Sequence, residues 1–206
     1  MDFSTIKSIH IPEGEVVKIS TPSTVYWQKK PVYTELEYLV LDGTICFDSG
    51  VYGYMNTKIE SKWKRADATT GMYLYGCAST GNTDSLTAYT STTGGAWRFG
   101  NRSVSALPTG DDALHETIQN NVRVIRDGSI FKYTEIDDFT TPYTIIVACA
   151  YTSTGSYSPS PFIGRIYYFK LWDGDNLILD WIPVNYEGID GFWDKVTNTF
   201  VAPISL

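Results

Sequence analysis

The stretch FIGRIYYFKLWD, residues 162–173, decides the fold expected for this chain. Aromatic and β-branched residues dominate it, and these residues favour strands because their side chains pack well on a pleated surface. The polar residues DGDN at 173–176 then turn the chain, and the largely apolar residues 177–184 return along it. The pattern predicts two long antiparallel strands, with Ile166, Tyr168 and Trp172 among the packed inward-facing rings and aliphatics.

Upstream segments repeat this strand pattern. Residues 58–64 alternate apolar or small side chains with charged ones, which predicts a strand with one solvated face. Residues 122–126 and 129–133 flank Asp127-Gly128, a pair that accepts the positive φ angles of a tight two-residue hairpin turn. Residues 143–150 are almost continuously apolar, which predicts a central strand buried on both faces.

Helix signals are almost absent, and the only helix-like window is short and polar, at residues 111–116. Numerous short strands separated by turn residues predict an all-β, antiparallel β-sandwich. At 206 residues the chain is long enough for one such domain, placed at residues 31–206, preceded by an N-terminal β arm at residues 1–30.

Charge and hydropathy exclude several kinds of partner. The net charge is −7 and the Lys and Arg residues are scattered, whereas phosphate binding needs clustered cations, so no nucleic-acid partner is expected. No segment approaches about 18 uninterrupted apolar residues, and so no membrane association is expected. The opening residues also lack the basic and apolar regions of a signal peptide.

The cysteines are expected to be reduced packing residues. Cys46, Cys77 and Cys149 are odd in number, widely spaced and set among apolar or small residues. No Cys or His pair has zinc-ligand spacing. The acidic residues at 173–176 could supply part of a calcium site, but a plain Asp-Gly turn explains them with less. No metal and no cofactor are therefore expected.

The N-terminal arm is expected to dock on something. Residues 16–19 and 25–27 form short strand-like runs, and a hairpin alone is marginally stable in water. The arm must therefore pack on its own sandwich or on another chain, which favours a homo-oligomer or a larger assembly. The apolar arm residues expected to make these contacts are Ile9, Ile11, Val17, Ile19 and Trp27.

Three motifs carry a family resemblance. Residues 162–173 resemble the G-R-I-Y-x-x-K-I-x-D strand of the concanavalin A-like, laminin-G-like domains common in phage proteins of gut bacteria. LDWIPV at 179–184 is similar to the family's R-D-x-I-P-V, with Leu in place of Arg, and GFWDKV at 191–196 to its G-x-Y-D-K-V, with Trp in place of Tyr. The opening patterns Y-x-x-L-E-Y-I and Q-Y-I-D-T-G are matched more loosely at 33–39 and 45–50. The resemblance covers about residues 33–202 and implies a concanavalin A-like sandwich of the jelly-roll kind.

The arm has a resemblance of its own. Residues 6–28 resemble the I-P-E-G-x-V-x-K-I…V-x-W leader at the start of many phage structural proteins. This resemblance implies a virion component, made in the cytoplasm of a bacterial host. Its arm would join a capsid, fibre or tail protein, and its sandwich would face outward.

The two resemblances together imply a non-enzymatic virion structural protein whose lectin-like sandwich binds a glycan on a host or mucosal surface. One alternative is a capsid decoration, fibre or tail subunit that serves assembly only and has no ligand. A less favoured alternative is a polysaccharide hydrolase, because the E-x-D-x-x-E pattern begins at Glu135 and Asp137 but ends in Thr140, without its last carboxylate. A nucleophilic triad is not supported, and His115 is expected to be an exposed surface residue.

Sugars are bound by exposed aromatic rings with polar groups around them. The candidate rings lie in or beside loops rich in Ser, Thr and Gly, and they are Tyr89, Trp97, Tyr151 and Tyr157. For each ring, packing in the core or at its rim is the favoured alternative, because an aromatic side chain buries a large area. The segment 151–157 is the best candidate loop, since two rings flank a polar stretch. The tryptophans assigned to the scaffold are Trp63, Trp172, Trp181 and Trp193.

Overall fold

The computed structural model describes residues 18–20, 25–28, 32–66, 70–79, 81, 83–91, 95–107 and 113–206. The chain divides into two compact units, Met1–Tyr33 and Thr34–Leu206. In the first unit, β1 (Lys18–Ser20) and β2 (Val25–Gln28) pair antiparallel, with Ile19 opposite Trp27. The other arm residues predicted to make contacts, Ile9, Ile11 and Val17, lie outside the described residues.

Strands β3 to β19 form the second unit. They are β3 (Thr34–Glu35), β4 (Leu39–Asp42), β5 (Ile45–Tyr54), β6 (Thr57–Arg65), β7 (Met72–Cys77), β8 (Ser85–Thr90), β9 (Gly95–Gly100), β10 (Arg102–Leu107), β11 (Leu114–Gln119), β12 (Arg123–Arg126), β13 (Ser129–Lys132), β14 (Thr140–Val147), β15 (Ile163–Asp173), β16 (Asn176–Tyr186), β17 (Ile189–Asp194), β18 (Thr199–Val201) and β19 (Ile204–Ser205). Within the described ranges, no helix is long and apolar enough to cross a bilayer.

These strands form two antiparallel sheets. One sheet has seven strands in the order β10-β9-β8-β7-β14-β5-β19. The other has ten, in the order β13-β12-β11-β6-β15-β16-β17-β18, with β3 joined to β16 and β4 to β15. The predicted all-β, antiparallel, jelly-roll-like sandwich is confirmed.

Aromatic rings join the two sheets. The Tyr75 ring of β7 meets the Phe169 ring of β15 edge-on, with centroids 5.7 Å apart. In the same way, Phe47 of β5 meets Phe192 of β17 at 4.7 Å. All four residues are almost fully buried in one core cluster. Edge-to-face pairs of this kind stabilise a core beyond the area that they bury.

The strand predicted at residues 143–150 is confirmed in part: β14 lies between β7 and β5 and ends at Val147, and its residues 145–147 are buried on both faces. Ile145 belongs to the core between the sheets, whereas Ile146 belongs to a second apolar cluster with Cys46 and Cys149. Residues 148–162 follow β14 and stay beside β7, because the Ala148 amide donates to Leu74 O at 2.8 Å. This segment contributes the rings that cover the second cluster.

The predicted hairpin is confirmed, and the described part of the helix-like window at residues 111–116 is not helical. Asp127 and Gly128 have φ angles of 50° and 81° and join β12 to β13. Residues 114–119, by contrast, form strand β11, whose inward positions carry polar side chains. Thr117 lies 2.8 Å from Ser61 between their hydroxyl oxygens, and the Gln119 amide accepts a hydrogen bond from the Tyr75 hydroxyl at 2.8 Å. The strand is hard to predict because hydrogen-bonded polar groups occupy its buried face.

Strand β19 closes one edge of the seven-stranded sheet. Ile204 pairs with Cys46, and the Leu206 amide donates to Thr44 O at 2.9 Å. The sheet edge beside β5 is therefore formed by residues distant from it in the sequence.

The cysteines are buried and free, as predicted. Burial raises the pKa of all three thiols, and that of Cys46 reaches about 12, with the neighbouring Cys149 and Asp48 adding to the effect. Thiols react as thiolates, so these groups are unreactive in the folded protein.

A thiol-counting experiment tests this arrangement. We expect Ellman's reagent to label almost none of the three cysteines in the folded protein at mildly alkaline pH, and all of them in concentrated guanidinium. Rapid labelling of a full thiol equivalent before unfolding would contradict the burial of this cluster.

Gly164 permits a close approach between β15 and β6. A Cβ atom at this position would lie 2.2 Å from Lys64 O and 3.0 Å from the Arg65 Cα. We expect Gly164→Ala to lower the free energy of unfolding by about 1–3 kcal/mol, because the two strands would have to separate. Urea unfolding measures the change. The matched control, Val40→Ala on adjacent β4, removes an exposed side chain and should change it by less than about 0.5 kcal/mol.

Candidate functional site

A bulge in β15 decides which side chains this strand presents to solvent. Ile166 pairs with Trp63, but the next pair is Tyr168 with Lys62, so Tyr167 is an extra residue without a partner on β6. The bulge shifts the alternation: Ile166 faces the core before it, and Phe169 and Leu171 face the core after it. Tyr168 and Trp172 are therefore half-buried on the outer face of the ten-stranded sheet, which corrects the expectation that both pack inward.

A groove lies on this outer face, and we call it the tyrosine groove. It has a volume of about 490 Å³. Its lining residues come from β6, β11, β12, β15 and the β12–β13 turn, and they are Glu60, Lys62, Leu114, Glu116, Thr117, Ile118, Ile125, Asp127, Gly128 and Tyr168. The groove thus combines one aromatic ring, three aliphatic side chains from two adjacent strands and several charged groups.

Ion pairs position the charged groups beside the ring. The Lys62 ammonium lies 3.0 Å from Glu116 Oε1, and the Lys58 ammonium lies 3.7 Å from Glu60 Oε1. Burial raises the pKa of Tyr168, and the carboxylates of Glu116 and Glu60 raise it further. The phenol therefore keeps its proton at neutral pH and can donate a hydrogen bond.

A buried cluster fixes the rim of the groove at Asp127. The Asp127 carboxylate accepts a hydrogen bond from the Glu116 amide at 2.9 Å and lies 2.6 Å from His115 Nδ1. His115 is only 4% exposed, which corrects the expectation of a surface residue. Its ring packs on Trp63 with centroids 4.8 Å apart, and the Arg126 guanidinium lies over the same indole at 5.7 Å. The turn at 127–128 is thus held by groups from β6, β11 and β12.

The structure brings the predicted rings of Tyr151 and Tyr157 together, and both are partly buried. The rings stack with centroids 5.0 Å apart and 13° between their planes. Both pack against the apolar cluster of Cys46, Ile146 and Cys149. Tyr151 also lines a polar cavity of about 230 Å³ beside Thr152 and Ser153. These rings cover the seven-stranded sheet, and the cavity beside them is smaller than the usual 300–1,000 Å³ of a ligand pocket.

The other two predicted rings lie elsewhere. Tyr89 packs on Tyr73, with centroids 4.8 Å apart. Trp97 is 0% exposed and belongs to the core between the sheets with Phe99, because alternation along β9 points both rings inward. A ring without exposed surface cannot stack on a sugar, so Trp97 is a correction to the predicted site.

Of the tryptophans assigned to the scaffold, three are buried and one is partly exposed. Trp63, Trp181 and Trp193 are buried, as expected. Trp172 is half-exposed on the outer face, where the Lys58 ammonium lies 3.9 Å from its ring centroid.

The carboxylates considered for hydrolysis lie on an irregular segment after β13. Glu135, Asp137 and Asp138 are all exposed. The Asn101 amide donates a hydrogen bond to the Asp137 carboxylate. Across the described ranges, no group of three or more His, Cys, Asp or Glu side chains is placed to hold a metal ion.

The tyrosine groove was missed at the sequence level, although one signal was present. Core residues at positions 166, 169 and 171 cannot all face one side of a regular strand, so the pair Tyr167-Tyr168 had to contain an irregularity. If the inward–outward alternation of side chains is counted separately on each side of the pair, Tyr168 and Trp172 are assigned to the outer face.

No family model matches the chain, and no curated protein matches it by sequence. Among solved structures, the chain is similar to the carbohydrate-binding module CBM40 of a Ruminococcus gnavus IT-sialidase, at 12% identity and a TM-score of 0.50, over 68% of this chain and 91% of that one. It is also similar to a heptameric SAP-like pentraxin from Limulus polyphemus, at 12% identity and a TM-score of 0.42, over 70% of this chain and 76% of that one. The two antiparallel sheets and the likeness to the carbohydrate-binding module show that the chain has the fold of the lectin-like β-sandwiches.

Proposed function

We propose that this chain is a non-catalytic, lectin-like protein that binds a glycan in the tyrosine groove. The observation that carries the proposal is the β15 bulge, which turns the Tyr168 ring out of the core and into a groove of about 490 Å³. That volume falls in the range of small-ligand sites. A half-exposed ring offers an apolar face to the C–H surface of a sugar.

The charged groups around the ring suit sugar hydroxyls. The carboxylates of Glu60 and Glu116 accept hydrogen bonds, and the Lys62 ammonium donates them, so one hydroxyl can be satisfied on both sides. Bonds to charged partners are stronger than neutral ones. The ion pairs hold these side chains in place before the ligand arrives, which lowers the entropy lost on binding.

The proposal is one of binding because the groove offers a ring and paired charges, and the E-x-D pattern lies elsewhere. The likeness to a carbohydrate-binding module supports it only as a scaffold that such modules use. Release of reducing sugar from a bound polysaccharide, lost in Glu116→Gln, would replace binding with hydrolysis.

We also propose that the N-terminal unit attaches the sandwich to a phage virion. The resemblance of residues 6–28 to a phage-type leader supports this attachment. The chain also divides into separate units after residue 33, and the described part of the first unit is a two-stranded pair. Such a pair is marginally stable alone, which supports a role in contacting another protein. A sandwich carried in this way would present its groove to glycans of the host or mucosal surface.

A glycan array and calorimetry test the groove. We expect wild-type protein to bind at least one class of glycan and Tyr168→Ala to lose about tenfold or more in affinity, since the stacking ring is removed. Tyr168→Phe keeps the ring and should lose only about threefold. The control is Tyr52→Ala, which removes an exposed ring from the other sheet and should bind normally.

Thermal unfolding of each variant checks that the fold is intact. An equal loss of glycan affinity in Tyr168→Ala and Tyr52→Ala would overturn the proposed site. Absence of binding to any glycan would favour the assembly-only alternative.

Deletion of residues 1–30 tests the attachment. We expect the truncated protein to keep the β-rich circular dichroism spectrum and cooperative unfolding of the full chain, because the packed core lies within residues 34–206. In a phage complementation assay, it should be missing from purified particles. Incorporation of the truncated protein at wild-type level would contradict the role of the arm.

A further inference from the structure

A second cavity lies on the same sheet, next to the tyrosine groove. It has a volume of about 480 Å³ and lies where β4, β6 and β15 meet. Its lining includes the exposed Val40, the aliphatic Ile163, the charged Asp42 and the pair Lys64 and Arg165. We call it the cationic cavity.

Three cationic residues line this cavity; Arg65 is buried, and the other two lie directly opposite each other. Arg165 pairs with Lys64 across β15 and β6, so both side chains project from the outer face of the sheet. Like charges at directly opposed positions destabilise a sheet. Within the described part of the chain, neither cation forms an ion pair with a carboxylate, whereas Lys58, Lys62 and Lys170 each do so on the same face.

Aromatic packing fixes the orientation of Arg165. Its guanidinium carbon lies 4.3 Å from the centroid of the Tyr38 ring, and Tyr38 in turn meets Tyr167 at 5.4 Å. Tyr167 is the extra residue of the β15 bulge. Tyr167 thus packs on the ring that stacks with Arg165, although neither ring lines the cavity itself. A stacked guanidinium keeps its N–H donors free in their plane, in a geometry that matches an oxyanion.

One carboxylate lines the cavity, and it is turned toward its own loop. Asp42 Oδ1 accepts hydrogen bonds from the Thr44 amide at 2.9 Å and from the Thr44 hydroxyl at 2.6 Å. These bonds lower the pKa of Asp42, so it stays ionised. Its charge opposes an anionic ligand but does not cancel two cations.

We propose that the cationic cavity binds an anionic group, a carboxylate or a sulfate, on the sugar next to the one that stacks on Tyr168. The proposal rests on the glycan-binding function above. Lys62 of the groove and Lys64 of the cavity are two residues apart on β6, which separates them by about 7 Å along the strand. Adjacent units of one oligosaccharide can therefore reach both sites.

The probes are matched pairs on a glycan array, each a neutral oligosaccharide and its sulfated or sialylated counterpart. We expect the acidic member of at least one pair to bind about tenfold more tightly, as a charge-assisted bond would provide, and the advantage to shrink as salt is added. Lys64→Gln and Arg165→Gln should each remove most of that advantage and leave binding of the neutral member unchanged. Asp42→Asn should increase the advantage, because it removes the opposing charge.

The control is Lys132→Gln, which makes the same change of charge on exposed strand β13 and should leave the advantage intact. Equal binding of neutral and acidic members would overturn the cationic cavity while the groove stands. Binding of neither would overturn both proposals. Displacement of the acidic glycan by an equal concentration of inorganic sulfate would make the cavity a site for the free anion and overturn its place in glycan recognition.

Discussion

Aromatic rings make the contact between the two sheets, and Phe169 of strand β15 lies among them. Phe169 meets Tyr75 across the sandwich and Trp181 within its own sheet, at 5.7 Å in both cases. Trp181 stacks on Phe192, which crosses back to Phe47. Because interiors are close-packed, this run of rings leaves little freedom in the register of β15. The strand must present Ile166, Phe169 and Leu171 to the core, and no regular strand can do so.

The bulge at Tyr167 is the consequence of that demand. It keeps the core filled and turns two consecutive tyrosines to the outer face, where Tyr168 lines the groove and Tyr167 packs on Tyr38. The same dozen residues that specify the fold therefore also create the surface proposed to bind a ligand. A motif that resembles a scaffold element can carry functional residues when its alternation is interrupted.

The features that follow local rules were predictable from the sequence. Asp127-Gly128 was expected to form a tight turn because few other pairs adopt two successive positive φ angles, and both angles are positive. The nearly continuous apolar run at residues 143–150 likewise indicated a buried strand, and β14 buries residues 145–147 on both faces. The features that escaped depend on partners distant in the chain. Strand β11 buries polar residues that are satisfied by β6 and β7, and Trp97 faces inward only because β9 continues the alternation of a packed sheet. Loop composition identified candidate rings near polar segments, but it does not indicate which face of each sheet is exposed to solvent.

The pairing of β19 with β5 has a consequence for how the sandwich is made. Residues 204–205 hydrogen-bond with residues 45–46, and β4 similarly needs β15, so the contacts that close both sheets span most of the chain. Such a topology has a high contact order, and chains of this kind fold slowly because loop-closure entropy is lost before packing compensates for it. During synthesis, the early strands emerge from the ribosome long before their partners. The sandwich therefore completes its folding only after strand β19 has been translated, and until then its unpaired edges need protection from aggregation.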